Sequence, residues 1–326
     1  MNSALPAADD EILISVQSLN VDSASFHQFS KSAGGDKTKI AELIESVVRE
    51  RGKLQNPVTG SGGMLIGEVS SVGKNIKNKD LKSLKPGDKI ATLVSLTLTP
   101  LHIEKITRVL PEIERIEVKG HAILFDSGIA VKIPADINEG LALAALDVCG
   151  APAQTARLVK PGMRVAVIGG GGKSGLFCLL QAKKSAGPSG RVIALEYSEA
   201  AANRLKNLSF VDSVVCADAR DAVTASSQIM RALGGEPADL VINVANVAGT
   251  EMASILSCKT GGTVYFFSMA TSFTAAALGA EGVAADVNLM IGNGYASGHA
   301  ELTLNLLRES TELRSLLEYI YETKAE

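Results

Sequence analysis

Residues 164–175, RVAVIGGGGKSG, decide the fold of this chain. An apolar run of strand length leads into four glycines, and the following segment KSGLFCLLQAKKSA has the pattern of a helix. A glycine turn between a strand and a helix brings backbone N–H groups to the helix N-terminus, where phosphate groups bind. The stretch therefore predicts a nucleotide site, but two kinds of nucleotide loop share these letters.

The ATP-type phosphate loop does not fit this stretch. Its pattern GxxxxGK[ST] requires a glycine five residues before Gly172, and that position is Val167, inside the predicted strand. The dinucleotide pattern GxGxxG does fit, on Gly170, Gly172 and Gly175, and a GxxGxxG register begins at Gly169. The loop therefore predicts a dinucleotide rather than ATP.

Glu196 supports the dinucleotide interpretation. It ends the next predicted strand, RVIALE, about 20 residues beyond the last glycine, where a carboxylate accepts hydrogen bonds from ribose hydroxyls. Because this carboxylate repels a 2′-phosphate, we expect NAD rather than NADP. Alternatively, Glu196 is an exposed acid that only caps the following helix. The predicted cofactor-binding residues follow successive strand ends: Gly169, Gly170, Gly171, Gly172, Lys173, Ser174, Gly175, Glu196, Tyr197, Asp218, Ala219, Asn246, Val247, Ser268 and Met269.

The pattern of the chain changes near residue 150. Over residues 1–150, short strands such as EILISVQSL and GGMLIGEVSSVG alternate with turns, and one helix interrupts them at 37–51. Over 151–294, continuous apolar strands alternate with helices, which predicts a doubly wound parallel sheet. The helix of 295–326 does not extend that sheet, and we expect it to pack back on the first domain. The predicted fold class is α/β, with a β-rich domain before a cofactor domain.

Composition excludes several classes of function. The 326 residues carry a net charge of −3, contain no Trp and only 4% aromatic residues, so nucleic acid is not an expected partner. No apolar stretch reaches the length of a membrane span, and residues 1–10 lack the features of a signal peptide. The four cysteines form no CxxC pair, which indicates a reduced, cytoplasmic protein. We therefore expect a small-molecule substrate.

The order of the two domains resembles the medium-chain dehydrogenase/reductase superfamily, as do GSGGMLIGEVSSVG and LKPGDKI. NPVTGSGGMLIGEV, ALDVCGAPAQTARLVKPG and IGNGYASGHAELTLNLLRES further resemble the L-erythro-3,5-diaminohexanoate dehydrogenase family of lysine fermentation. The resemblance implies a GroES-like barrel, a Rossmann cofactor domain and a homodimer. It also implies NAD-dependent oxidative deamination, in which hydride leaves C3 and 5-amino-3-oxohexanoate and ammonium form. A zinc-independent quinone or enone reductase and a non-catalytic dinucleotide-binding protein are the alternatives.

The resemblance does not extend to zinc. Zinc-using members of the superfamily draw ligands from two cysteines and from the His of a Gly-His-Glu. The matching places here hold Leu19, Asn20 and Asp22 in one stretch, then Ser61 and Ala151. The four histidines show no HxxxH spacing, so we expect no metal.

The implied reaction requires a base, because the C3 ammonium must lose a proton before hydride can leave. Four acids are candidates: Asp147, Glu68, Asp22 and Glu301. Asp147 is favoured, since its apolar flanks in LALAALDVC predict a raised pKa. Each acid also has a structural interpretation: a helix-ending acid, a solvent-facing strand acid, a turn aspartate and a helix N-terminal acid, respectively.

Hydroxyl and imidazole groups are the candidates for holding the substrate. Ser95 and Thr97 alternate in LVSLTLTP, so we expect one strand face to present hydroxyls, although a solvated face fits equally well. Thr271 and Ser272 follow a later strand at the edge where the nicotinamide is expected. His299 precedes the last helix.

Overall fold

The computed structural model describes residues 1–5 and 7–321 of the chain. The chain divides into two compact units, one formed by Met1–Asp147 with the described residues from Glu318 onward, the other by Val148–Leu317. Among the described residues, each unit is built on one six-stranded sheet. No helix in this part of the chain is long and apolar enough to cross a membrane.

The sheet of the first unit is antiparallel, in the order β4-β5-β1-β2-β3-β6. Its strands are β1 (Glu11–Val21), β2 (Gly63–Val72), β3 (Lys89–Thr92), β4 (Leu101–Leu110), β5 (Arg115–Phe125) and β6 (Ala130–Lys132). Its helices are α1 (Ser23–Ser32), α2 (Lys37–Arg51), α3 (Lys79–Lys82) and α4 (Glu139–Leu146). Helix α2 is the predicted insertion, with Asp36 as its N-cap and Gly52 in the left-handed conformation at its end.

Strand β1 reverses its facing at a bulge. Its pairing with both neighbouring strands shifts register between Val16 and Ser18. One extra residue moves every later side chain to the opposite face. The core side chains of β1 are Ile12, Ile14 and Val16 before the bulge and Leu19 and Val21 after it. Ser18 and Asn20 therefore leave the core face, yet both stay buried.

The strand expected around Ser95 and Thr97 is absent, which corrects the sequence prediction. Ser95 instead caps a 3₁₀ turn, Leu96–Leu98, because its hydroxyl accepts a hydrogen bond from the backbone N–H of Thr97 at 3.2 Å. A serine followed by short polar residues stabilises such a local turn as readily as a strand. The two hydroxyls therefore do not form one face of a strand.

The sheet of the second unit is parallel throughout, in the order β12-β11-β10-β7-β8-β9. Its strands are β7 (Arg164–Ile168), β8 (Arg191–Glu196), β9 (Ser213–Cys216), β10 (Ala238–Asn243), β11 (Cys258–Phe266) and β12 (Asn288–Ile291). Its helices are α5 (Gly150–Leu158), α6 (Lys173–Ala186), α7 (Glu199–Leu205), α8 (Ala222–Ala232), α9 (Glu251–Ser257), α10 (Phe273–Gly282) and α11 (His299–Glu309). The predicted α/β class, with an antiparallel unit before a parallel one, is confirmed.

The end of the chain differs from the sequence prediction. Two helices, α11 and α12 (Thr311–Tyr321), replace the single helix expected there. Helix α11 packs against α5 and α6 through buried residues such as Leu304 and Leu307, and the chain as far as Leu317 belongs to the second unit. The sequence had assigned all of 295–326 to the first domain, and residues 322–326 lie outside the described part.

Candidate active site

The glycine loop joins β7 to α6 in a conformation that admits only glycine at two positions. Gly169 has φ +86°, and a Cβ there would lie 2.8 Å from the backbone of Ala245. At Gly175, in the first turn of α6, a Cβ would lie 2.3 Å from the carbonyl oxygen of Gly169. Gly172 is the N-cap of α6, and no described side chain caps that helix. Its N–H groups are therefore directed to a phosphate-sized anion.

Glu196 fastens this loop to the end of β8. One carboxylate oxygen, Oε2, accepts the backbone N–H of Gly171 at 2.9 Å. The other, Oε1, accepts the N–H groups of Tyr197 at 2.9 Å and Ser198 at 3.2 Å. A carboxylate offers about four acceptor positions, so three backbone bonds leave capacity for ribose hydroxyls. Glu196 thus combines a structural role with a charge placed beside the loop.

The neighbouring strand end carries a neutralised ion pair. Asp218 accepts three side-chain hydrogen bonds from Arg220, two from Nε at 3.0 Å and one from Nη2 at 2.7 Å, and these bonds lower the pKa of Asp218. The guanidinium of Arg220 lies 5.9 Å from the ring centre of Tyr197. Because Asp218 balances Arg220, this arginine does not neutralise the charge of Glu196.

The end of β10 contains a buried asparagine that is not in the predicted cofactor-binding set. The side-chain nitrogen of buried Asn243 donates to the hydroxyls of Thr250 and Ser254, both at 2.9 Å, and its oxygen accepts the N–H of Ala245 at 3.1 Å. Asn243 thereby shapes the loop that holds the predicted residues Asn246 and Val247, which are exposed. A polar residue closing an apolar strand was the available signal.

The ends of β11 and β12 reach the same sheet edge, since all strands are parallel. The hydroxyl of Ser268 accepts the N–H of Ala270 in a turn at 3.1 Å, and Met269 is exposed. Ser272 caps α10, while its own N–H donates to buried Glu251 at 2.7 Å. Thr271 lies between them. Strand β12 was not predicted, because its four residues lie between polar and glycine-rich segments.

His299 is buried at the start of α11. Its ring meets the ring of Tyr295 edge-on, with 5.0 Å between centroids, and burial lowers the pKa of its imidazole. Burial therefore favours the neutral form of the ring. Glu301, in the same first turn of the helix, is exposed and has the position of a helix N-terminal acid.

In the first unit, Asp22 lies at the head of a hydroxyl cluster. Its Oδ1 accepts the N–H of Ser25 at 3.0 Å and the hydroxyl of Ser61 at 2.8 Å. Its Oδ2 is buried and meets no hydrogen-bond partner among the described residues. The hydroxyls of Ser25, Thr59 and Ser61 lie 2.6–3.0 Å from one another. Because Thr59 is exposed, this chain of hydroxyls connects a buried carboxylate with solvent.

The other two candidate acids of the first unit occupy different surroundings. Asp147 ends α4 and is half-buried. Glu68 is exposed on β2, opposite Lys89 in the strand register. In the described part of the chain, no three His, Cys, Asp or Glu side chains are grouped as metal ligands.

Known proteins share this sequence over nearly its full length. Residues 1–134 match the model of the L-erythro-3,5-diaminohexanoate dehydrogenase N-terminal domain. L-erythro-3,5-diaminohexanoate dehydrogenase from Acetoanaerobium sticklandii is 56% identical over 312 residues, which are 96% of this chain and 90% of that protein. The chain belongs to the L-erythro-3,5-diaminohexanoate dehydrogenase family. A second family member, from Fusobacterium nucleatum, is 51% identical over the same shares of the two chains.

The fold of this chain resembles that of a solved alcohol dehydrogenase. A crystal structure of an alcohol dehydrogenase from Thermotoga maritima superimposes with a TM-score of 0.61 at 17% identity, over 99% of this chain and 92% of that one. At such low identity the likeness concerns the fold alone.

Proposed function

We propose that this protein is an NAD-dependent dehydrogenase that oxidatively deaminates L-erythro-3,5-diaminohexanoate at C3. The amino acid, NAD and water give 5-amino-3-oxohexanoate, ammonium, NADH and a proton. The observation that carries the proposal is the glycine loop held by the Glu196 carboxylate, in a chain 56% identical to an enzyme of that name. A bound dinucleotide supplies the hydride acceptor, and this chain's residues bind, orient and move protons.

The preference for NAD rests on charge at the end of β8. A 2′-phosphate would bring about two negative charges to the ribose, beside the Glu196 carboxylate. The cation that could attract it, Arg220, is already paired with Asp218. Both features disfavour NADP and leave the ribose hydroxyls of NAD as suitable hydrogen-bond donors to Glu196.

Asp22 is the acid whose geometry best suits the base. Its buried Oδ2 has an unused acceptor position, where the C3 ammonium would deliver its proton. Ser61 donates to Oδ1 of the carboxylate; for the proton to leave, this hydroxyl must rotate and accept the proton from the carboxyl, and Thr59 can then pass a proton to solvent. The neutral amine then has the lone pair needed to form a protonated imine as hydride leaves C3. Water adds to this imine and ammonium leaves.

The remaining candidates have secondary roles in this proposal. Asp147, Glu68 and Glu301 are second choices for the base, and His299 and Thr271 remain candidate substrate contacts. His299 would contribute as a neutral imidazole, because burial lowers its pKa. Such a group can accept or donate a hydrogen bond without adding charge.

We also propose that the enzyme is a cytoplasmic homodimer. Strand β12 is an edge strand of the parallel sheet, and Ile291 on it is 59% exposed. Leu278 on neighbouring α10 is 63% exposed. Pairing of two β12 strands around a twofold axis would cover these side chains and remove the open edge. The four cysteines carry free thiols, in keeping with a reducing compartment.

The assay that tests this function mixes the purified protein with the diamino acid and either NAD or NADP, and follows NADH or NADPH absorbance. We expect kcat/KM with NAD to exceed that with NADP by at least about tenfold. A parallel reaction offers an enone or quinone with NADPH. Reduction of these compounds without amine oxidation would replace the proposal with the reductase alternative, and binding of NAD without any turnover would indicate a non-catalytic protein.

A further inference from the structure

Unpartnered polar atoms are concentrated on one face of the antiparallel sheet. Among the described residues, few buried side-chain nitrogens or oxygens lack a hydrogen-bond partner, and three of these atoms lie close together in the strand register: Ser18 Oγ, Asn20 Nδ2 and Arg115 Nε. Asn20 on β1 is the register partner of Arg115 on β5, and Ser18 follows two residues away on the same face. All three atoms are hydrogen-bond donors.

Two of these donors border a groove in the first unit, and Asn20 is their neighbour in the strand register. Ser18, only 5% exposed, and Arg115 line a cavity of about 630 Å³. Three carboxylates, Glu104, Glu117 and Glu139, line the same cavity. Glu139 is paired with Lys89, whereas the closest approach of Glu117 to Arg115 is 3.9 Å, too long for a hydrogen bond. Arg115 thus approaches Glu117 through Nη2, while its Nε has no hydrogen-bond partner among the described residues.

The bulge in β1 explains why the donors are there. Beyond it, Ser18 and Asn20 turn away from the hydrophobic core while remaining buried. A buried donor without an acceptor destabilises a fold, and a cationic donor does so most. Three such groups side by side are therefore expected to meet a ligand that accepts hydrogen bonds, and a carboxylate suits a guanidinium best.

We propose that Ser18 and Arg115 bind the C1 carboxylate of the diamino acid. The carboxylates that line the groove provide favourable charge for the ammonium groups of the same molecule. The groove therefore selects a small amino acid that carries one carboxylate and further ammonium groups. This inference rests on the proposed function, because it assigns an end of the proposed substrate to named residues.

The test compares 3,5-diaminohexanoate with its C1 carboxamide, which lacks the charge that Arg115 would bind. In Arg115→Met we expect the KM for the acid to rise about 100-fold, with kcat nearly unchanged. Ser18→Ala should raise the KM for the acid about fivefold. For the carboxamide, both variants should stay within twofold of the wild type. Ser18→Ala removes an unpartnered hydroxyl, so its folding is expected to be intact.

Arg49→Met is the matched control, because it removes an exposed guanidinium from α2 of the same unit. It should leave both substrates unaffected. Equal losses for the acid and the carboxamide in Arg115→Met would make Arg115 a structural residue and overturn the proposal. An affinity for the acid equal to that of the wild type in both variants would also overturn the proposal. Water would then be the partner of these donors.

Two further readouts separate the sources of failure. Calorimetric titration of the wild type and Arg115→Met with the diamino acid alone measures binding without turnover, so it tests the groove even if the proposed reaction fails. A regulatory second site is recognised by rate curves: the variants would then change only the response at high substrate concentration and keep kcat/KM. That outcome would refute the assignment to the catalysed molecule.

Discussion

The glycine loop of the parallel sheet and the polar face of β1 treat their hydrogen-bonding groups in opposite ways. At the loop, Glu196 accepts three backbone N–H groups and Asp218 is paired with Arg220. Buried atoms of Asn20 on β1, of Asp22 directly after β1 and of Arg115 on β5 remain without hydrogen-bond partners in the described chain. The loop thus has its conformation fixed in advance, whereas the β1 face keeps its bonding capacity for a ligand.

Replacing Asp22 changes the unpartnered polar groups of the first unit and should have the largest effect. In Asp22→Asn the helix cap is retained, because asparagine caps as well as aspartate, but the base is lost. We expect kcat to fall about 1,000-fold. NADH affinity, measured by fluorescence titration, should not change. The KM for the diamino acid separates this loss from a binding defect.

Asp36→Asn provides the control for that substitution. Asp36 is also an aspartate N-cap, of α2, and its Oδ1 accepts the N–H groups of Thr38 and Lys39. The kcat of Asp36→Asn should equal that of the wild type. A wild-type kcat in Asp22→Asn would move the role of base to Asp147, Glu68 or Glu301.

Gly175→Ala breaks the first region. The new Cβ would lie 2.3 Å from the carbonyl oxygen of Gly169, so the loop and the start of α6 must separate. We expect NAD affinity to fall about 100-fold, because the helix N-terminus no longer meets the pyrophosphate. Gly282→Ala, where a Cβ meets nothing within 4 Å, should bind NAD normally. Unchanged affinity in Gly175→Ala would show that the pyrophosphate binds elsewhere.

Glu196→Gln sharpens the contrast with a smaller change. It removes the charge but keeps one oxygen for the N–H groups of Tyr197 and Ser198. The ratio of kcat/KM with NAD to that with NADP should fall about tenfold, since the repulsion of a 2′-phosphate is lost. The thermal midpoint should fall too, because the new amide faces the N–H of Gly171. A preserved ratio would transfer cofactor choice to Arg220 and Asp218.

The parallel-sheet unit could be read from the sequence because its signals are local. Glycines with forbidden Cβ positions, as at Gly169 and Gly175, must stand in one short stretch, and apolar strands of a covered sheet are continuous runs. Glu196 is found by its distance along the chain. Strand β12 was not predicted, because four residues are too few to show a strand pattern in the sequence. Its edge position also gives it only one paired neighbour among the described strands.

The catalytic side could be predicted less well, because its residues meet through pairing between distant strands. The apolar flanks of Asp147 favour it in the sequence, whereas Asp22 is favoured by its buried Oδ2 and by a hydroxyl on its Oδ1 from Ser61, far away in the chain. Asn20 and Arg115 become neighbours only through the register of β1 and β5. No spacing in the sequence expresses that register.

The bulge between Val16 and Ser18 has a consequence for how this family can vary. Removing one residue there would leave the strand continuous and its hydrogen-bond ladder intact. The same deletion would turn the Asn20 side chain into the hydrophobic core and the Leu19 side chain toward the groove. A single-residue change of length in β1 is therefore expected to be far more harmful than most substitutions along it, because it exchanges the interior of the domain for its binding surface.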